Sequence, residues 1–290
     1  MFAPEFEYHR ANTVAEAIDL LSSNPGAKVM AGGHSLIPLL KLRLARPTVV
    51  VDIGGVAEMR GISVNDGNIR IGALTTHWEI ESSSQVAQAN SLLAEAAGGI
   101  GDTQVRNRGT IGGNLSHADP ASDWGTVLTA LNATLEIQGP GGATRTVSPT
   151  DFIVGPLTTT LGEAEILTAV NGPVLAANQR AEYAKMAHPA SGYAVVGAAV
   201  VVNVDGHTCT GASLAVGGAV PAPVRLTTVE NALTGKELTY ENIEAATAQA
   251  GSDLGGEILG DFFASAEYRR AMAAVETKHA LFHATGVAHH

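Results

Sequence analysis

The sequence predicts an α+β fold in two parts. Three observations carry that reading. Up to Asn171 strand and helix patterns are mixed without strict βαβ alternation. A Gly-Pro break then falls at Asn171-Gly172-Pro173, and beyond it three successive strand patterns are followed by helical patterns to the end. The expected division is residues 1–172 for the first domain and 173–290 for the second.

Thr13 and Glu16 have capping-box spacing, and Val14, Ala17, Ile18 and Leu21 recur at helical period until Asn24-Pro25-Gly26 stops the helix. Lys28 to Ala31 reads as a short buried strand running into Gly32-Gly33-His34-Ser35. Leu36 to Leu44 reads as a helix, with Pro38 tolerated in its first turn. Val49-Val50-Val51 is a β-branched run and hence a strand. Ile62-Ser63-Val64 and Ile69-Arg70-Ile71 flank Asn65-Asp66-Gly67-Asn68, a hairpin signal. A helix through Leu92, Leu93, Ala96 and Ala97 leads into a Gly-rich region, Gly98 to Gly113, and Asp123 to Leu131 is again helical. Thr134 to Gln138 and Ala143 to Val147 form a hairpin around Gly139-Pro140-Gly141-Gly142.

In the second domain Glu182 to Ala187, Ala194 to Val204 and Cys209 to Val216 are strands, with a hairpin turn at Asp205-Gly206. Thr228 to Leu233, Tyr240 to Ala250 and Ala266 to Phe282 are helical, and the residues from Gly286 are expected to be loose.

The formal net charge of −11 excludes a general nucleic-acid surface, which needs clustered Lys and Arg, although it leaves room for a local basic pocket. Cys209 is the single cysteine of 290 residues. An internal disulfide framework, an iron–sulfur cluster held by this chain alone and a Cys-rich zinc site are therefore excluded. No histidines have the H-E-x-x-H spacing, and His289 and His290 are terminal and uninformative, so no metal site is expected. The first ten residues carry Glu5, Glu7 and Arg10 and lack the apolar segment of a secretory signal. The longest apolar run, Ala194 to Val202, falls far short of the ~20 residues that span a bilayer. A soluble cytoplasmic protein without a transmembrane segment is expected.

Two Gly-rich turns stand out: Ala31-Gly32-Gly33-His34-Ser35, between a strand and a helix, and Thr110-Ile111-Gly112-Gly113-Asn114. Paired glycines let the backbone turn through φ > 0 and leave no Cβ to block a ligand, and successive N–H groups in such turns converge on an anion. Two such turns from distant parts of the chain can clamp a pyrophosphate; each alone also reads as an ordinary turn. Neither matches G-x-G-x-x-G, and no G-x-x-x-x-G-K-[ST] occurs. The residues by themselves lead to a dinucleotide site of non-Rossmann type, or to plain turns.

Ala31-Gly32-Gly33-His34-Ser35-Leu36, with Pro38-Leu39-Leu40-Lys41-Leu42-Arg43 behind it, resembles the first flavin-pyrophosphate loop of the FAD-binding medium subunits of molybdenum hydroxylases. Arg108-Gly109-Thr110-Ile111-Gly112-Gly113-Asn114 resembles the second. The resemblance runs in order along nearly the whole chain. It continues through Ala118-Asp119-Pro120-Ala121-Ser122-Asp123, Glu165-Ile166-Leu167, His188-Pro189-Ala190-Ser191-Gly192-Tyr193-Ala194, Gly217-Gly218 and Ala264-Ser265-Ala266-Glu267-Tyr268-Arg269-Arg270. The family includes aerobic carbon monoxide dehydrogenase, nicotine and caffeine dehydrogenases and the flavin module of xanthine dehydrogenase. It implies a two-part FAD-binding domain of the vanillyl-alcohol-oxidase type, followed by a small antiparallel sheet with a helical bundle.

Site roles follow from the resemblance. Val29-Met30-Ala31-Gly32-Gly33-His34-Ser35-Leu36 would wrap the pyrophosphate and ribityl chain, and Thr110, Ile111, Gly112, Gly113 and Asn114 would close it from the other side. Ile100 would pack by the isoalloxazine; its other reading is a core isoleucine. Asp123 would reach sugar or ribityl hydroxyls, which a carboxylate accepts well, or else cap a helix. Leu161 and Leu167 would contact the adenine or the flavin. Lys185 would put positive charge near the flavin N1–C2=O region, or be a solvated strand lysine. Tyr193 would lie against the isoalloxazine and gate an acceptor, or be structural. His34 invites the thought of covalent attachment, but the family points to non-covalent FAD with His34 beside the phosphates. His188 stands where some relatives have an Arg, which leaves open any anion contact made there.

No catalytic residue is assigned, because redox chemistry belongs to the cofactor. The resemblance implies that electrons come from a small [2Fe–2S] subunit, fed by a large molybdopterin subunit, in a dimer of heterotrimers. Carbon monoxide is the preferred substrate of the complex. N-heterocycles and aldehydes are alternatives, and a stand-alone FAD oxidase or a cofactor-free scaffold would be readings of another class.

Overall fold

The chain begins with a βαβαβ unit that its sequence pattern under-reports. The computed structural model describes residues 2–288; Met1, His289 and His290 lie outside the described residues. β1 (Glu7–Arg10) and β2 (Lys28–Met30) both pair in parallel with β3 (Val49–Asp52), giving the order β1-β3-β2. α1 (Val14–Ser23) and α2 (Leu36–Lys41) make the crossovers, so strict alternation does hold here. β1 escapes a hydrophobicity reading because Glu-Tyr-His-Arg is a polar edge strand. β2 is not the buried strand expected: it is the other edge, with Lys28 and Val29 exposed and Met30 half-buried.

Local signals near this unit are shifted by a residue or more. Thr13 caps α1 by accepting from the Glu16 N–H, but the Glu16 carboxylate accepts from Asn12, one residue before the cap. α2 stops at Lys41 rather than Leu44, because Arg43 turns into the left-handed region at φ 60°.

The second subdomain is an antiparallel sheet. β4 (Ile62–Asn65) and β5 (Asn68–Gly72) form the expected hairpin. Five helices follow that the sequence reading largely merged into loops: α3 (His77–Glu81), α4 (Ser84–Ala89), α5 (Ser91–Gly98), α6 (Thr103–Arg106) and α7 (Ile111–His117). α8 (Asp123–Ala130) leads into the hairpin of β6 (Thr134–Gln138) and β7 (Thr144–Val147). After α9 (Pro149–Phe152) and the small pair β8 (Ile153–Gly155) and β9 (Thr158–Thr159), β10 (Ile166–Pro173) fills the centre of the order β4-β5-β10-β6-β7. Asn171, Gly172 and Pro173, read as a break, are the last residues of β10 and pair with Arg70, Ile69 and Asn68.

The third unit is the antiparallel sheet β11 (Gln179–Ala187), β12 (Ala194–Asp205), β13 (Thr208–Gly217) and β14 (Val224–Arg225). α10 (Thr227–Leu233), α11 (Tyr240–Thr247), α12 (Ala250–Asp253) and α13 (Ala266–Thr285) follow. The single helix expected over 240–250 thus stops at Thr247. Gly286 caps α13 at φ 69°, its N–H donating to the Phe282 carbonyl, and of the residues expected to be loose beyond it His289 and His290 lie outside the described residues. The expected α+β architecture, with antiparallel sheet and helices last, is the one observed.

β12 is buried on both faces. Ala199 and Val201 join the core of the first domain, while Val196, Ala198, Val200 and Val202 join a second core with α10, α11 and α13. α8 packs on one side of this sheet and α13 on the other. The motif Tyr268-Arg269-Arg270 explains how α13 is fastened. Arg269 is 7% exposed, and its guanidinium donates to the Val195 and Gly218 carbonyls at 2.6 and 3.0 Å and to Asp261 at 2.6 Å. Removing it leaves buried acceptors unpaired. Arg269→Met should cost about 3 kcal/mol of stability. Urea denaturation of the variant checks this, and a midpoint unchanged from the parent chain would refute it.

Candidate functional site

Two Gly-rich segments far apart in the chain meet at backbone contact. A Cβ on Gly32 would lie 1.9 Å from the Arg108 carbonyl oxygen and 3.1 Å from the Gly109 Cα, so only glycine fits. Gly33 then turns the chain into α2 at φ 75°. Among the described residues, the N–H groups of Gly32, Gly33, His34 and Ser35 find no acceptor within the chain. Four successive open donors make a concavity suited to an anion. His34 is exposed, and its Nδ1 donates to the Gly32 carbonyl at 3.0 Å. Val29, Met30, Ala31 and Leu36 flank these donors, and none of the four is buried.

The second segment is built differently from the turn of open donors that was expected. Thr110 is the N-cap of α7 and accepts from the Gly113 N–H at 3.1 Å. Ile111 and Gly112 donate to the Thr75 and Ala73 carbonyls, and Asn114 donates to Thr110. These donors fasten α7 to the segment after β5. Gly112 and Gly113 have no positive φ. Gly112 is needed for close approach, since its Cβ would sit 2.4 Å from that of Ala73. Among the described residues the Thr110 N–H and the Asn114 amide NH2 remain free, while the Asn114 Oδ1 accepts from the Ser122 hydroxyl.

Along one side of the junction lies a cleft of about 410 Å³, bordered by Ala31, Gly32 and Thr110 together with Arg10, Arg60 and Arg108. Asp52 also lines it, so three arginines against one carboxylate give a locally basic pocket within a chain of net charge −11. A larger cavity of about 550 Å³ lies elsewhere, between β10 and the third sheet, and takes in none of the sequence-predicted residues. Several of its polar side chains are already engaged within the chain, Asn132 with Arg225 and Asn171 with Glu136 outside the cavity.

A second constellation joins Asp123, Lys185 and the turn of Tyr193. Asp123 is the first residue of α8, with Ser122 as the N-cap. Its Oδ1 accepts from Tyr183 Oη at 2.7 Å and Lys185 Nζ at 2.9 Å, while Oδ2 accepts from no side chain among the described residues. Burial pushes the Asp123 carboxyl above its ordinary range, opposed by the Lys185 ammonium and the Tyr183 hydroxyl. Lys185 is not a solvated strand lysine: its side chain is 12% exposed, and its other two donors go to the Gly99 and Gly192 carbonyls at 2.7 and 3.0 Å. Ile100 is buried in the first core beside Gly99, and Tyr193 is 43% exposed. Leu161 is half-buried against that core, and the Leu167 side chain lies within it.

Sequence reasoning missed His77. It begins α3, is buried, and packs against Gly109. Its Nδ1 accepts from Trp124 Nε1–H at 3.1 Å. Burial, then Arg106 and His34, lower its pKa to about 4. The signal was present: Thr76 and Glu79 form a capping box that announces a helix starting at His77.

Residues 4–175 match the family model described as the FAD binding domain in molybdopterin dehydrogenase, and residues 181–284 match the CO dehydrogenase flavoprotein C-terminal domain. The chain is 37% identical over 277 residues to the glyceraldehyde dehydrogenase medium chain of Sulfolobus acidocaldarius, covering 96% of this chain and 97% of that one. It is 37% identical over 284 residues to the carbon monoxide dehydrogenase medium chain of Hydrogenophaga pseudoflava, covering 97% of each. The structure of carbon monoxide dehydrogenase from that organism, lacking the Mo-pyranopterin moiety of its molybdenum cofactor, matches with a TM-score of 0.94 at 38% identity over 99% of both chains. Quinoline 2-oxidoreductase from Pseudomonas putida 86 matches with a TM-score of 0.93 at 31% identity, again over 99% of both.

His77 yields a prediction about acid stability. The folded chain holds it neutral with a pKa of about 4, against 6.5 ordinarily. As pH falls the unfolded chain takes the proton first, so this contribution is whole above pH 6.5 and is lost between 6.5 and about 4. The loss amounts to roughly 3 kcal/mol. His77→Gln, which keeps an acceptor for Trp124, should flatten stability measured by urea denaturation across that window. A variant as acid-sensitive as the parent would show that other groups carry the response.

Proposed function

Because this chain belongs to the family of FAD-binding subunits of molybdopterin dehydrogenases, we propose that it is the flavin-carrying, electron-transferring subunit of a three-subunit complex of carbon monoxide dehydrogenase type. The observation that carries the reading is the run of four open backbone donors from Gly32 to Ser35, at the junction where Gly32 admits no Cβ. That is the donor set a pyrophosphate requires, and three arginines border the same junction.

Bound there, FAD supplies redox chemistry that accepts electrons singly and passes them on as a pair. The residues of the chain bind and orient it. The loop from Val29 to Leu36 holds the pyrophosphate through main-chain N–H groups, with Thr110 and the Asn114 amide on the opposite side. Asp123 offers Oδ2 to a sugar or ribityl hydroxyl while Oδ1 stays bound to Tyr183 and Lys185. Ile100 and Tyr193 border the isoalloxazine, with the exposed side of Tyr193 toward the acceptor. Leu161 packs near the adenine, and Leu167 contributes backbone only, since its side chain belongs to the core. The flavin is held non-covalently, with His34 as a polar neighbour of the phosphates.

Electrons come from outside the chain, because Cys209 is its single cysteine and is buried in the second core. The donor is a small [2Fe–2S] subunit, supplied in turn by a large molybdopterin subunit, in a cytoplasmic dimer of heterotrimers. No helix of the described residues is long and apolar enough to cross a membrane. The second reading of the substrate is an aldehyde, favoured by similarity to the glyceraldehyde dehydrogenase medium chain at the same 37% identity.

An absorbance titration of the purified chain with FAD tests the reading. Flavin bands should appear and should move to the supernatant on acid precipitation. Gly32→Val should weaken FAD binding tenfold or more, about 1.4 kcal/mol. A chain that takes up no flavin in excess FAD, alone and with its partner subunits, would overturn the proposal. Oxidation of carbon monoxide or of glyceraldehyde by the complex with a dye acceptor separates the two substrates.

A further inference from the structure

Resting on the flavin reading above, we propose that Lys185 is a positioning residue: its ammonium fixes the turn that carries Tyr193 against the FAD-binding domain, and so sets the Tyr193 phenol relative to the flavin.

An ammonium has three donors. Here all three are used inside the chain, by acceptors from three places: the Gly99 carbonyl at the end of α5, Asp123 Oδ1 at the start of α8, and the Gly192 carbonyl in the turn between β11 and β12. Two of these belong to the first domain. The third belongs to the residue just before Tyr193. No N–H of Lys185 is left to donate to a flavin N1 or O2, so whatever this lysine does for the flavin passes through the groups it holds.

The turn is a unit that a single clamp can orient. Tyr193 accepts from the His188 N–H, and Gly192 donates back to the His188 carbonyl, both at 2.8 Å. His188 also accepts from Ala190, and its ring packs against Phe263 at a 57° tilt with centroids 4.3 Å apart. Outside the turn, the Ala194 N–H donates to the Ala121 carbonyl at 3.2 Å, the one further main-chain tie to the first domain next to Tyr193 among the described residues. Gly192 also approaches Gly101, since a Cβ on it would meet the Gly101 Cα at 3.8 Å. The turn is therefore stiff within itself, and Lys185 governs how it sits over the Ile100–Gly101 segment.

The FAD-loaded chain provides the test. A tyrosine ring beside an isoalloxazine quenches its fluorescence, so Tyr193→Leu should raise the emission of bound FAD severalfold. Lys185→Met should raise it in the same direction, by at least half as much, and the double variant should add nothing beyond Tyr193→Leu. If Lys185→Met does not fold because Asp123 is left buried and unpaired, Asp123→Asn combined with Lys185→Met removes both charges and is read in the same way. Emission at the parental level in the Lys185 variant, with the flavin reduction potential displaced, would overturn the proposal in favour of direct electrostatic action. A Tyr193→Leu variant without any change in emission would instead overturn the flavin reading of Tyr193.

Discussion

α8 is the constraint on which the placement of the site depends. All eight of its residues, Asp123 to Ala130, are buried. A helix hidden on every side cannot be amphipathic, and its sequence, Asp-Trp-Gly-Thr-Val-Leu-Thr-Ala, is short, apolar or small throughout. The small residues allow close neighbours: a Cβ on Gly125 would meet Pro223 at 2.8 Å, and one on Gly217 of β13 would meet Thr126 Oγ1 at 2.0 Å. The third sheet is thereby pressed against the helix that also carries Asp123 and Trp124. Trp124 reaches His77 beneath the second Gly-rich segment, and Asp123 reaches Lys185 on β11. One helix thus sets both constellations.

The two Gly-rich segments differ in what they leave open, which divides the work of holding the proposed pyrophosphate. The first leaves its donors open; the second uses its donors to tie α7 to Ala73 and Thr75 and supplies a rigid wall. A ligand gripped by two flexible turns would have to order both on binding, at an entropic cost that a prefastened wall avoids. Arg10, Arg60 and Arg108 gather at the same junction beside a single carboxylate, Asp52, so positive charge is concentrated there although the chain is strongly acidic.

Features governed by local chemistry were legible in the sequence. The hairpin turns at Asn65-Asp66-Gly67-Asn68 and Asp205-Gly206, the helical period behind Ala266 and the β-branched run at Val49 all depend on neighbours in sequence. β1 and the exposure of β2 were not legible, since an edge strand is defined by what pairs beside it. Gly-Pro at 172–173 misled for the complementary reason: β10 continues to Pro173 because β5 holds it. The Gly-rich segments could be recognised as a flavin motif only by resemblance. Which of their N–H groups are free depends on carbonyls of Ala73 and Thr75, far from them in sequence. The commitment of all three Lys185 donors is likewise a fact of tertiary geometry.

The polar groups that join the domains lie along one seam, while both cores beside it are apolar. Asp123, Tyr183 and Lys185 occupy one end of it. Ser213, which donates to the Ala130 carbonyl at 2.5 Å, and Arg225, bound to Asn132, occupy the other. Apolar contact is non-directional and would let the sheet slide over α8; hydrogen bonds at both ends fix a single register. Buried ion pairs add little net stability compared with apolar packing, so a pair such as Asp123–Lys185 is better understood as specifying geometry than as adding strength. For the flavin-carrying role proposed above, that specification would give the cofactor one orientation in every copy.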